Sequence, residues 1–129
     1  MAVCIFEKPN NRNISTCQNF GHKLYSCQRL QDVFTKEPEN EVIFCLDKQA
    51  VQEFGFPVTE LHKFNHPEKA TYVFGTDASM KMAAEIKNLK NKNYMCLTII
   101  APVNNVFWTD SAIAIILYDR WMKDEMGLA

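Results

Sequence analysis

The apolar positions of this chain fall into short runs separated by polar, turn-forming stretches. Residues 2–6, 41–46, 70–74 and 97–102 are nearly unbroken apolar or β-branched runs, the pattern of strands buried on both faces. Residues 23–27 alternate weakly and predict a second strand, and 58–64 suit an edge strand or coil. Helical signals fill the gaps. Asn13 or Ser15 can cap a short helix through Cys17 and Phe20, stopped by Gly21 as a left-handed C-terminal residue. Residues 30–35 form a helical turn before Pro38, and 48–54 a helix closed by Gly55 and Pro57. From 79 to 89, Met82, Ile86 and Leu89 fall on one face of an amphipathic helix. Strands and helices therefore alternate, which predicts a single α/β domain with a mostly parallel sheet flanked by helices.

The stretch from Leu97 onward dominates the pattern. An apolar strand over 97–102 leads to a loop over 103–108, then to a long helix from about Asp110, capped by Thr109 or Asp110. The helix is apolar on every face from Ala112 to Tyr118. A surface helix carries one apolar stripe, so this one calls for cover on a second side, and a partner subunit is the expected source. From Asp119 the helix turns polar, too soon for a membrane span.

Composition narrows the function classes. A net charge of −1 weighs against a dominant non-specific nucleic-acid binder while leaving room for a local basic patch. The five cysteines are odd in number and widely spaced, without a C-x-x-C pair, so reduced thiols in a cytoplasmic protein are expected. His22, His62 and His66 do not share ligand spacing with any cysteine, which argues against a metal site, and His62 and His66 read as polar loop residues. No basic-then-apolar leader opens the chain.

Three segments, in order, resemble the SPOUT superfamily of RNA methyltransferases, particularly its SpoU-type 2′-O-ribose branch. They are Pro9-Asn10-Asn11-Arg12-Asn13-Ile14 leading to Phe20-Gly21; Val73-Phe74-Gly75-Thr76-Asp77; and the stretch from Ile99 to Tyr118-Asp119. These are similar to the family's Asn-rich loop with a first helix ending in Gly, its strand followed by Phe-Gly-x-Glu, and its final strand, loop and Ala-rich helix. The resemblance implies a C-terminal deep trefoil knot, an exception to the rule that chains are unthreaded. It implies S-adenosyl-L-methionine held mainly by backbone groups. The matching positions are Leu46, Gly75, Thr76, Asp77, Ile100 and Val106. It also implies a tRNA or rRNA substrate and a homodimer formed through the first and last helices.

Several positions depart from the family pattern. A ribose hydroxyl needs a base or a nearby charge to act as a nucleophile. The family supplies an Arg within the first helix, where this chain has Ser15; Arg12 is the nearby guanidinium and the catalytic candidate. Asp77 replaces a Glu, and Ala78, Ser79 and Met80 replace glycines. Val106-Phe107-Trp108 replaces Ser-Leu-Asn, and Trp108 offers a single indole donor. Phe107 and Trp108 suit packing, and a loop aromatic can also stack on an unpaired nucleotide. The departures motivate an alternative: a catalytically degenerate knotted dimer that binds RNA or protein. A third class, a flavodoxin-like enzyme, would need a Gly-rich strand-to-helix turn, and the sequence has none.

Overall fold

A computed structural model describes residues 2–6, 8–75, 80–102 and 107–127. Among these residues six strands form one sheet: β1 (Ala2–Phe6), β2 (Lys23–Cys27), β3 (Glu41–Leu46), β4 (Thr59–Glu60), β5 (Ala70–Phe74) and β6 (Tyr94–Thr98). Their spatial order is β2-β1-β5-β3-β6-β4, and every pairing is parallel. All carboxyl ends therefore lie along one edge. The helices are α1 (Asn11–Asn19), the short α2 (Val33–Lys36) preceded by a 3-10 turn, α3 (Lys48–Phe54), α4 (Met80–Lys87) and α5 (Thr109–Met126). The expected α/β architecture with a mostly parallel sheet is thus observed.

Side-chain alternation along the strands divides the core into two layers. Cys4, Phe6, Phe44, Leu46 and Val73 face α2, α3 and α4, where Val33, Ala50, Met82 and Ile86 meet them. Val3, Ile5, Ile43, Tyr72, Phe74 and Leu97 face the other way, onto Cys17 of α1 and Ile113, Ile116 and Leu117 of α5. The central strands are buried on both faces, which explains why they read as unbroken apolar runs.

Local chemistry sets the helix ends. Asn10 caps α1: its side chain accepts from Asn13 N, and the Asn13 side chain accepts from Asn10 N, both at 2.9 Å. The cap is thus earlier than the expected Asn13 or Ser15, and it draws Arg12 into the first helical turn. Gly21, at φ 72°, closes α1 as expected, with its N–H on Gln18 O at 3.0 Å. The last strand also differs from the reading: it covers Tyr94–Thr98, not 97–102. Cys96, Leu97 and Thr98 supply its buried positions, and Ile100 is 47% exposed beyond its end. Neither Thr109 nor Asp110 caps α5. Trp108 holds the N-cap position without a side-chain bond, and the Thr109 hydroxyl instead donates to Gly75 O at 2.9 Å.

The course of the final segment is unusual. The chain leaves β6 through 99–102, yet α5 begins at the carboxyl end of β5, two strands away across β3. It then packs on α1. The segments that would thread a knot, 76–79 and 103–106, lie outside the described residues.

Candidate functional site at the carboxyl edge

Ligands of open parallel sheets bind beyond the carboxyl ends of the strands, because loops and helix starts gather there. In this chain β5, β3 and β6 are neighbours, in register Cys45 to Phe74 and Leu46 to Thr98. Leu46, Gly75 and Ile100 follow from those three strands, so the sheet brings these three sequence candidates to one edge. Leu46 is 3% exposed, with its side chain in the core. Gly75 is buried, with its carbonyl already accepting from Thr109. Thr76, Asp77 and Val106, also candidates, lie outside the described residues, as do Ala78 and Ser79.

Arg12 reaches the same edge from the first turn of α1. Its guanidinium lies 5.8 Å from the Trp108 ring centroid, a cation–π distance. Arg12, Trp108, Thr109 and Gly75 therefore form a continuous line from α1 through the start of α5 to the end of β5. Ser15, the residue in the family's Arg slot, is exposed on α1.

Unsatisfied polar atoms concentrate here. Among the described residues, four buried side-chain atoms have no hydrogen-bond partner: Asn13 Nδ2, Tyr25 Oη, Asp47 Oδ2 and Thr98 Oγ1. Tyr25 lies within β2, but the other three lie at the carboxyl edge, on the first turn of α1, just after β3, and at the end of β6. Asp47 caps α3 with Oδ1, accepting from Ala50 N at 2.8 Å. Burial pushes its carboxyl above the usual range, against the opposing pull of the backbone N–H groups of Ala50 and Gln49. Buried orphans cost free energy unless something meets them, so a cluster at a sheet's ligand edge suits a ligand carrying both donors and acceptors. Among the described residues no three His, Cys, Asp or Glu side chains gather to hold a metal ion.

A second polar cluster escaped the sequence reading. His66 is no exposed loop residue: its side chain is 2% exposed and joins β5 to α5. Arg120 Nη1 donates to Tyr72 Oη at 2.9 Å and to Pro67 O at 2.6 Å, while Nη2 donates to Glu68 O at 3.0 Å. With Tyr72 Oη accepting from Arg120, its proton goes to His66 Nδ1 at 2.7 Å, and His66 Nε2–H donates to Asp119 Oδ2 at 2.7 Å. Lys123 Nζ closes the chain on Asp119 Oδ2 at 2.8 Å and on the carbonyls of Leu61 and Phe64. Burial lowers the His66 pKa, and the Asp119 hydrogen bond opposes that shift. Every group is occupied, so the network anchors α5 rather than presenting chemistry.

The five cysteines are unpaired and buried; burial pushes Cys17 and Cys96 up to about 11, so both are neutral thiols. No helix among the described residues is long and apolar enough to cross a membrane.

The fold is that of an α/β protein with a parallel sheet, and its carboxyl edge is the candidate site. Comparison with protein-family models and with curated proteins finds no match.

Proposed function

We propose that the chain is an RNA 2′-O-ribose methyltransferase-like protein of SPOUT type, binding S-adenosyl-L-methionine at the carboxyl edge and acting on tRNA or rRNA as a homodimer. One observation carries this reading: Leu46 ends β3, and Gly75 and Ile100 lie just past β5 and β6, so three positions named from the resemblance alone fall at the carboxyl ends of three adjacent parallel strands. The orphaned Asp47 Oδ2 and Thr98 Oγ1 fit a ligand with hydroxyl and amine groups. The start of α5 at β5, two strands from β6, supports a threaded tail.

When bound, the cofactor supplies an electrophilic methyl group on a sulfonium. The chain's own part is to position and to polarise. Backbone groups at Leu46 and Gly75 orient the ligand; Asp47 accepts from a hydroxyl. Arg12 brings a positive charge that favours the alkoxide form of an attacking ribose hydroxyl. The homodimer forms through α1 and α5, which leave Ile14, Tyr118 and Trp121 exposed at 38%, 50% and 51%. Exposed large apolar side chains on two packed helices fit an interface.

The alternative, a knotted dimer that binds without catalysis, is favoured by one observation. Ser15 stands exposed in the family's Arg slot, and the nearby guanidinium, Arg12, faces an indole. Incubation with isotopically labelled S-adenosylmethionine and total tRNA or rRNA separates the two. The enzyme reading expects label in 2′-O-methyl nucleosides, reduced at least tenfold by Arg12→Ala. Binding of the cofactor without any transfer supports the alternative, and an unchanged rate removes Arg12 from the chemistry.

A further inference from the structure

The indole of Trp108 is 71% exposed, the most open of the large apolar side chains among the described residues. Its backbone is nonetheless fixed. Trp108 O accepts from Ala112 N at 3.0 Å in the first turn of α5, and the next residue, Thr109, is tied to Gly75 O at 2.9 Å. The ring is therefore a platform on a rigid mount beside the end of β5. The Arg12 guanidinium lies 5.8 Å from its centroid and forms no ion pair among the described residues. The first turn of α1 carries no acidic residue; the nearest acid on α5 is Asp110 in its first turn.

We infer that Trp108 and Arg12 form a clamp for one unpaired nucleotide of RNA at the mouth of the carboxyl-edge site, the base stacking on the indole and its phosphate meeting the guanidinium. The inference takes its ligand class, RNA, from the function proposed above, and it adds the subsite and the strandedness. An aromatic face accepts any base, since each has a π-face, but only when the base is unstacked. The guanidinium lies over one face of the ring, where it supplies the phosphate contact, and the base stacks on the opposite face. This pairing suits a nucleotide better than a protein side chain, because it offers stacking and anion binding within one residue's reach. Trp108 precedes Tyr118 of the proposed dimer surface by ten residues, about 15 Å along the helix axis.

Fluorescence anisotropy with labelled single-stranded and duplex RNA tests this, on the full chain at fixed salt. Single-stranded RNA is expected to bind more tightly than duplex. Trp108→Ala is expected to lose about tenfold in affinity for the single strand, while Trp108→Phe stays within about threefold. Arg12→Ala is expected to reduce the slope of log affinity against log salt by about 0.7, and Arg12→Lys to keep it. An unchanged affinity in Trp108→Ala overturns the clamp. So does conversion of that variant to a monomer in sedimentation, which would place the indole in the subunit interface, and so does absence of RNA binding by the wild type. Calorimetry with S-adenosylhomocysteine on the same samples keeps the two ideas apart. Tryptophan-dependent RNA binding without cofactor binding supports the clamp and removes the methyltransferase reading; cofactor binding with tryptophan-independent RNA binding does the reverse.

Discussion

His66 shows how one residue can be read correctly in type and wrongly in place. Sequence offered a histidine between Phe64 and Pro67, and nothing local distinguishes a solvated ring from a buried one. Its partners Tyr72 and Asp119 come from β5 and α5, so only the fold reveals the network. Burial lowers the ring's pKa, against the opposing pull of Asp119. The unfolded chain then binds the proton more readily than the native one, and stability falls as pH drops below the ordinary histidine range near 6.5. Urea titrations between pH 5 and 8 are expected to show that loss, and His66→Gln is expected to flatten it. Arg120→Met would strip three carbonyl and hydroxyl acceptors of their donor in a residue 5% exposed. The expected cost is on the order of 3 kcal/mol, read as a lower urea midpoint at unchanged slope.

At the scale of elements, apolar periodicity located most of the structure. The bounds of β1, β2, β3, α3 and β5 coincide with the runs read from sequence, because each is a compact apolar or capped stretch bounded by a turn residue. The last strand did not. Tyr94 and Met95 are only partly buried, so the run was placed too late, on Ile99 and Ile100, which lie beyond the strand. The start of α5 was read to within a residue, but its cap was not: Thr109 has the chemistry of a cap but spends its hydroxyl on Gly75 O, a residue 34 positions earlier. The capping box of α1 was legible as a cluster of asparagines but not as a pair. Asn10→Ala is expected to cost about 1 kcal/mol in the same titration. Gly21→Ala, forced to φ 72°, is expected to cost a similar ~1 kcal/mol.

For the whole molecule, strand order decides what the candidate residues can do together. Leu46, Gly75 and Ile100 are far apart in sequence, and only the insertion of β5 beside β3, and of β6 on its other side, makes them neighbours. Asp47 and Thr98 escaped the reading because an orphaned polar atom has no signature in sequence. The exposed aromatics of α5 belong to this scale as well. Tyr118→Glu with Trp121→Glu is expected to turn a sedimenting dimer into a folded monomer, and an unchanged particle would move the interface elsewhere. On the function proposed above, the edge formed by β5, β3 and β6 holds S-adenosylmethionine. Isothermal titration of the wild type and Gly75→Arg with S-adenosylhomocysteine tests it most directly. The wild type is expected to bind one ligand per chain at micromolar affinity, and the arginine variant, folded and still dimeric, to bind none. No heat from the wild type, or undiminished binding by the variant, would contradict it.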